Sequence, residues 1–200
     1  MQLLLFALLP LAGGFPYAKK NEPIFRNLNQ YPGFFYMNRS NAAHRDRCES
    51  GWTYYDETDA CYKSFFNKPF QAAESICISF GGHLTSIHSQ KENLFVANLA
   101  QMGFNIPDWN WATWIGLVRS DYWKGDSNVT WIWTDGTVLD FISWGPTEPN
   151  GGQDGQRCVG LVSDPTASNN DILWYQKWFD IACTTYMRSF VCKKMALHDE

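Results

Sequence analysis

The sequence predicts an α+β domain held together by disulfides, on three observations. Two stretches with helical apolar spacing follow one another between residues 69 and 102, with no clear helical pattern after them. Beyond Trp109 the pattern is one of short strands and loops. Six cysteines, Cys48, Cys61, Cys77, Cys158, Cys183 and Cys192, form an even set of the kind that bridges in an oxidising compartment. A chain of 200 residues has room for one such domain plus an extension, and enough chain to bury a core.

Taken in order, residues 1–14 read as a secretory signal. An apolar run from Leu3 to Leu11 leads into small residues, and cleavage after Gly14 leaves Ala12 and Gly14 at the two small-residue positions. The run is well short of the roughly 20 residues a spanning helix needs, and no later stretch reaches that length. The mature chain is therefore expected to be secreted, with no transmembrane segment. Residues 15–47 are polar with scattered aromatics, and Pro16, Pro23 and Pro32-Gly33 interrupt any regular element, so this part reads as an extended N-terminal segment.

Order is expected from Cys48. Trp52, Tyr54 and Tyr55 lie between Cys48 and Cys61 in a short hairpin, and Tyr62 to Phe66 follows as a strand. Pro69 suits the first turn of a helix with Phe70, Ala73, Cys77 and Phe80 on one face, ended by Gly81-Gly82. Ser89-Gln90-Lys91-Glu92 fits a capping box, in which the Ser oxygen and the Glu carboxylate satisfy free backbone donors reciprocally. Phe95, Leu99 and Met102 then recur as a core-facing stripe. Trp114 to Leu117 is a short apolar run. Val129, Trp131 and Trp133 alternate with Thr130, Ile132 and Thr134 before an Asp135-Gly136 turn. From Gly145 to Asn170 the chain is rich in Gly, Pro, Asn and Asp, a loop of the length that usually carries function. Val191-Cys192-Lys193 ends the last strand, and residues 194–200 form a tail.

Composition narrows the function. The net charge of -4 comes from mixed acidic and basic residues, without the basic footprint of a nucleic-acid binder. No Cys-x-x-Cys or clustered Cys/His pattern suggests zinc. No nucleophile–base pair or carboxylate pair is indicated by spacing, so the chain is not expected to be an enzyme. Most of the ten Trp belong to a core. Two sequons, Asn38-Arg39-Ser40 and Asn128-Val129-Thr130, mark glycosylation positions on the secretory route.

An ordered set of residues then resembles a known family. Trp52, Cys61-Tyr62, Cys77, Gly82-His83-Leu84, Ser86-Ile87, Glu92, Trp114-Ile115-Gly116-Leu117, Trp133, Gly136, Trp144, Glu148-Pro149-Asn150, Cys158, Trp178, Cys183 and Cys192 together resemble the C-type lectin-like domain, over residues 48–193. The resemblance implies two helices packed on small antiparallel sheets, with a long loop carrying the binding site. It also implies the pairing Cys77–Cys192 and Cys158–Cys183, with Cys48–Cys61 marking the long form. At His83 it implies a structural role.

In that family a calcium ion is held by carboxylates and amides that also hydrogen-bond two vicinal sugar hydroxyls. Ca²⁺ takes six to eight hard oxygens. The Glu-Pro-Asn order goes with mannose-type sugars, and a cis Pro149 is expected from the resemblance. Glu148, Asn150 and Asp180 match the ligand-binding pattern, and the metal set is Glu148, Asn150, Gln156 and Asp180. Two positions depart from it. Gln156 stands where a Glu is usual, and Phe179 stands where an Asn is usual. Phe179 has no oxygen to offer and Gln156 carries no charge, so calcium affinity is expected to be weak or lost. Asp154 is a candidate replacement ligand, read here as a solvated loop residue. Gly151 and Arg157 occupy positions where acidic ligands of an auxiliary calcium site are common.

Two functions follow. One is a calcium-assisted lectin for mannose-type sugars, with glycans or glycoproteins as partners, using Glu148, Asn150 and Asp180. The other is a calcium-independent domain for a protein or lipid ligand, with Phe179 and nearby Trp residues forming an apolar patch.

Overall fold

The computed structural model describes residues 47–103, 107–125, 127, 129–151, 155–164 and 174–198. The signal segment, Asn38, Asn128 and Asp154 lie outside the described residues.

The strands are β1 (Thr53–Tyr55), β2 (Ala60–Lys68), β3 (His83–Leu84), β4 (Thr113–Arg119), β5 (Trp131–Trp133), β6 (Gln156–Leu161), β7 (Trp178–Ala182) and β8 (Met187–Met195). The helices are α1 (Phe70–Ser79), α2 (Gln90–Ala100) and the short α3 (Ser120–Trp123), with a 3-10 turn at Trp109–Trp111. The strands run in the order β1-β2-β8-β4-β6-β7, with β3 also on β8 and β5 also on β4. The expected small antiparallel sheets are therefore joined into one, because β4 pairs with β8 in parallel through Thr113 and Trp114. The other pairings are antiparallel.

The three bridges are Cys48–Cys61, Cys77–Cys192 and Cys158–Cys183. They join β2 to the start of the domain, α1 to the last strand, and the two sides of the β6–β7 hairpin. Buried side chains form two clusters. One is built around Phe70, Trp114, Phe179 and Phe190, the other around Tyr62, Trp133, Trp178 and Val191.

Helix α1 starts at Phe70, with Pro69 as its extended cap residue rather than its first turn. It ends as expected. Gly81 takes φ +80°, and the Gly82 amide donates to the Cys77 carbonyl at 3.1 Å, closing the last turn with a left-handed residue. Phe80 leaves the helix face: it stacks on Phe65 (5.3 Å) and stays 40% exposed.

In α2 the Ser89 oxygen accepts from the Glu92 amide at 3.1 Å, which is half of the expected box. The other half is redirected. Glu92 is fully buried and accepts from the His88 amide (2.7 Å), the Tyr62 hydroxyl (2.7 Å) and the Lys193 ammonium (2.7 Å). A buried carboxylate needs such donors, and the cation on β8 outbids the Ser89 amide. The core stripe also shifts. Asn93, Val96, Ala97 and Ala100 face inward, while Phe95 and Leu99 are half-buried and Met102 lies past the helix, exposed. The small alanines let α2 approach the sheet, and Phe95 instead stacks on Tyr55 at 4.2 Å.

Within the long Gly145–Asn170 stretch the structure places a strand, β6, so the loop is two segments rather than one. The last strand continues to Met195, two residues beyond Lys193, and Ala196 and Leu197 add backbone hydrogen bonds to Asp59 and Arg47. His83 is structural, its Nδ1 lying 2.6 Å from the buried Glu74 carboxylate.

Candidate functional site

The site is assembled along the outer edge of β7. Trp178 is fixed from inside the domain: its indole N–H donates to the Asn93 side-chain oxygen at 2.8 Å, and Asn93 in turn donates to the Gln176 carbonyl at 2.8 Å. The segment around Trp144 then lies against β7 as a short parallel bridge. The Trp178 amide donates to the Ser143 carbonyl and the Gly145 amide to the Trp178 carbonyl, each at 2.8 Å. Gly145 is required here, because a Cβ at that position would stand 2.1 Å from the Trp174 ring.

From Gly145 the chain turns sharply. The Glu148 amide donates back to the Gly145 carbonyl at 3.1 Å, Thr147 takes φ +65°, and the Glu148–Pro149 peptide is cis. This turn brings Glu148 and Asn150 to Asp180. The Asp180 carboxylate is 2% exposed and accepts from the amides of Asn150 and Gly151, each at 2.9 Å. Glu148 Oε1 accepts from the Asn150 side-chain amide at 2.8 Å, and Oε2 accepts from the Asp180 amide at 3.4 Å. Three of the residues expected from the sequence are thus brought together.

Two carboxylates held this close oppose one another's ionisation. Burial, first, and then the neighbouring Asp180 push the Glu148 carboxyl up to about 7, from an ordinary 4.5, while hydrogen bonds to it from backbone amides act the other way. Such a pair suits a divalent cation, which removes the repulsion that raises the pKa.

Gln156 opens β6, the strand paired with β7, with its own partner position at Ala182. Its Oε1 is buried without a hydrogen-bond partner among the described residues. An orphaned buried amide oxygen has the chemistry of a hard-cation ligand. Glu148, Asn150 and Asp180 lie together, and their oxygens and that of Gln156 are of the type a hard cation takes, with fewer charges than a strong site carries. No group of three or more His, Cys, Asp or Glu capable of holding a metal occurs among the described residues.

Phe179 is where the sequence reading needs correction. It does not contribute an exposed patch: it is 4% exposed, turned into the core against Gly160, where a Cβ would lie 2.7 Å from its ring. Alternation along β7 explains this, since Asp180 must face the loop and its neighbour then faces the opposite side. Trp109 is an exposed aromatic that packs on Phe179, with its ring centroid 4.9 Å from those of both that residue and Trp174. Its position near β7 comes from tertiary packing, and nothing in its local sequence indicates it. Arg157 stands 3.8 Å from Asp121, which also accepts from Arg119 at two 3.0 Å contacts, so the carboxylate next to Arg157 is already paired.

These features define a disulfide-stapled α+β domain with a turn laid along one edge of its sheet. The lectin C-type domain model matches residues 66–194, and the chain belongs to that family. A C-type lectin, lectoxin-Lio1, of Erythrolamprus poecilogyrus is 35% identical over 150 residues, covering 74% of this chain and 80% of the relative. Among solved structures, the cow carbohydrate-recognition domain of CD23, crystallised in the presence of a GlcNAc2Man3 oligosaccharide, is 28% identical with a TM-score of 0.59, covering 76% of this chain and 99% of that one. A calcium-independent type II antifreeze protein is 28% identical with a TM-score of 0.56, covering 75% and 95%. Members of the family are binding proteins rather than enzymes. No helix among the described residues is long and apolar enough to cross a membrane.

Proposed function

We propose that this domain is a secreted lectin that binds mannose-type sugars through Glu148, Asn150 and Asp180, with Ca²⁺ bound weakly. The observation that carries this reading is the convergence of Glu148 and Asn150 on Asp180, with Asn150 donating to Glu148 at 2.8 Å. A carboxylate acceptor and an amide donor two residues apart match two adjacent hydroxyls, one as acceptor and one as donor. Glu148, Asn150, Gln156 and Asp180 would hold the ion, which when bound supplies a hard Lewis-acidic contact for sugar hydroxyls. With two carboxylates and two amides, the affinity belongs to the weak range of extracellular modules, about 10⁻⁴–10⁻³ M. The oligosaccharide named with the cow relative supports a glycan as ligand.

The test is Asn150→Asp, which replaces the amide donor by an acceptor while keeping size and fold. Binding to a mannose matrix should fall at least tenfold, about 1.4 kcal/mol, since one hydroxyl then faces a second acceptor. Unchanged retention would remove Asn150, and this reading, from the site.

A second reading is favoured by Phe179, which supplies no oxygen to a cation: a protein or lipid ligand bound without calcium. The calcium-independent antifreeze relative supports it, as a related fold that dispenses with the ion. Ligand binding that survives chelation would select this reading.

A further inference from the structure

Two arginines and one aspartate meet where β4 ends beside the start of β6, and their charges do not balance. Arg119 closes β4 and Asp121 follows it in α3. The pairing of Val118 with Cys158 sets Arg157 alongside them.

A β-bulge delivers Arg157 to this place. Gln156 pairs with Ala182 and Cys158 with Ile181, so β6 carries one residue more than β7 there, and Arg157 is that residue. An extra residue of this kind bends the strand and re-aims a side chain. Here the side chain is brought towards another cation.

Arg119 occupies Asp121 fully: Nε donates to Oδ1 and Nη2 to Oδ2, each at 3.0 Å. The Arg157 Nε stands 3.8 Å from Oδ2, beyond hydrogen-bond reach. Among the described residues no other carboxylate lies within 4.0 Å of either guanidinium. Two positive charges thus share one negative charge, in a chain whose net charge is -4.

The donors of Arg157 are also unused. Its Nε is enclosed without an acceptor, while its two terminal nitrogens are neither bonded nor enclosed, and the side chain is 42% exposed. Gly155, at φ +73°, lays backbone rather than a side chain against the guanidinium, where even a Cβ would come within 3.8 Å of Cζ. Like charges held side by side repel unless a counter-charge joins them. Asp121 already fills the fork of Arg119, so the missing group has to reach two guanidiniums on different strands. A planar carboxylate matches a single fork, whereas a tetrahedral oxyanion has oxygens out of one plane and can serve both.

We propose that Arg157 and Arg119 form a binding site for a tetrahedral oxyanion, a sulfate or phosphate group. It uses none of Glu148, Asn150 and Asp180 and does not depend on the sugar-binding reading.

The experiment follows the arginine Nε–H and backbone amide signals of the isotope-labelled full chain by NMR. Sodium sulfate, sodium phosphate, methyl sulfate and methyl phosphate are titrated in turn, with sodium chloride at matched ionic strength as the reference. The Nε–H signals of Arg157 and Arg119 should shift saturably with a midpoint of about 1–10 mM, the strength of one or two charge-assisted hydrogen bonds. Arg157→Gln should weaken binding by about fivefold or more, read from Arg119 and the Cys158 amide, and Arg157→Lys, which keeps the charge without the fork, should fall between. Tighter binding of the methyl esters identifies an organic sulfate or phosphate as the ligand, and tighter binding of the free ions an inorganic one; either upholds the site. Shifts that do not saturate below about 100 mM, that chloride reproduces, or that survive unchanged in a cooperatively melting Arg157→Gln variant overturn it.

Discussion

Glu148→Gln should make the domain more stable at neutral pH while removing a ligand. The Glu148 carboxyl titrates at about 7 in the folded domain against 4.5 ordinarily, through burial first and Asp180 second. Between these values the folded chain keeps a proton that the unfolded chain has lost. The native state binds more protons there, so stability falls as pH rises through this window, and the full penalty is present above pH 7. The displacement corresponds to about 3 kcal/mol at roughly 1.4 kcal/mol per unit. Glu148 is only half-buried, and solvent screening brings the expected cost to about 1 kcal/mol. Gln keeps an oxygen to accept from Asn150 and exchanges the long 3.4 Å contact from the Asp180 amide for a donor to the Asp180 carboxylate, so the substitution removes the charge with little change in shape. In chelator, the variant should melt about 2–4 °C above the wild type at pH 8 and together with it near pH 4.5. Thermal melts across that range read the difference directly. Curves that stay parallel at all pH values, or that separate only on the acid side, would refute the claim that Glu148 and Asp180 are held in opposition.

Three further outcomes are expected. Calcium should raise the melting midpoint by linkage, and the rise should shrink as pH falls below about 7, because protonated Glu148 must release its proton to bind the ion; a calcium effect independent of pH would exclude Glu148 as a ligand. Replacing Cys77 and Cys192, 115 residues apart, should cost nearer 5 kcal/mol, against about 3 kcal/mol for Cys48 and Cys61, 13 apart; urea melts showing the reverse order would contradict this. Arg188→Met should cost about 3 kcal/mol in the same assay, because it leaves the buried Asp164 carboxylate without its cation and with only the Met102 and Gly103 amides as donors; a loss below about 1 kcal/mol would mean the pair is dispensable.

Much of the fold was legible because its signals are local. The glycine stop after α1, the Ser89 cap and the existence of β5 each depend on a few neighbouring residues, although β5 spans only Trp131–Trp133 and Val129 lies outside it, exposed. The bridges followed from the family resemblance rather than from spacing. What the sequence misplaced depends on tertiary partners. Glu92 leaves the Ser89 amide for Lys193, a cation 101 residues away. The α2 stripe shifts because Ala97 and Ala100, weak in any apolar pattern, are the residues that fit against the sheet. At the site, the turn Glu148-Pro149-Asn150 could be read as a motif, and its meeting with Asp180 is seen in the structure. The direction of Phe179 could not be read in the same way, since it turns on which face of β7 the loop occupies. Trp109 carries no motif at all, and its position rests on rings contributed by two distant segments.

Glu148, Asn150 and Asp180 are proposed to form a sugar site. Isothermal titration of the purified domain with α-methyl mannoside, in calcium and again in chelator, tests it most directly. Saturable binding in calcium that is lost or weakened in chelator is the predicted result. No heat of binding in either condition, from a domain that melts cooperatively, would contradict it.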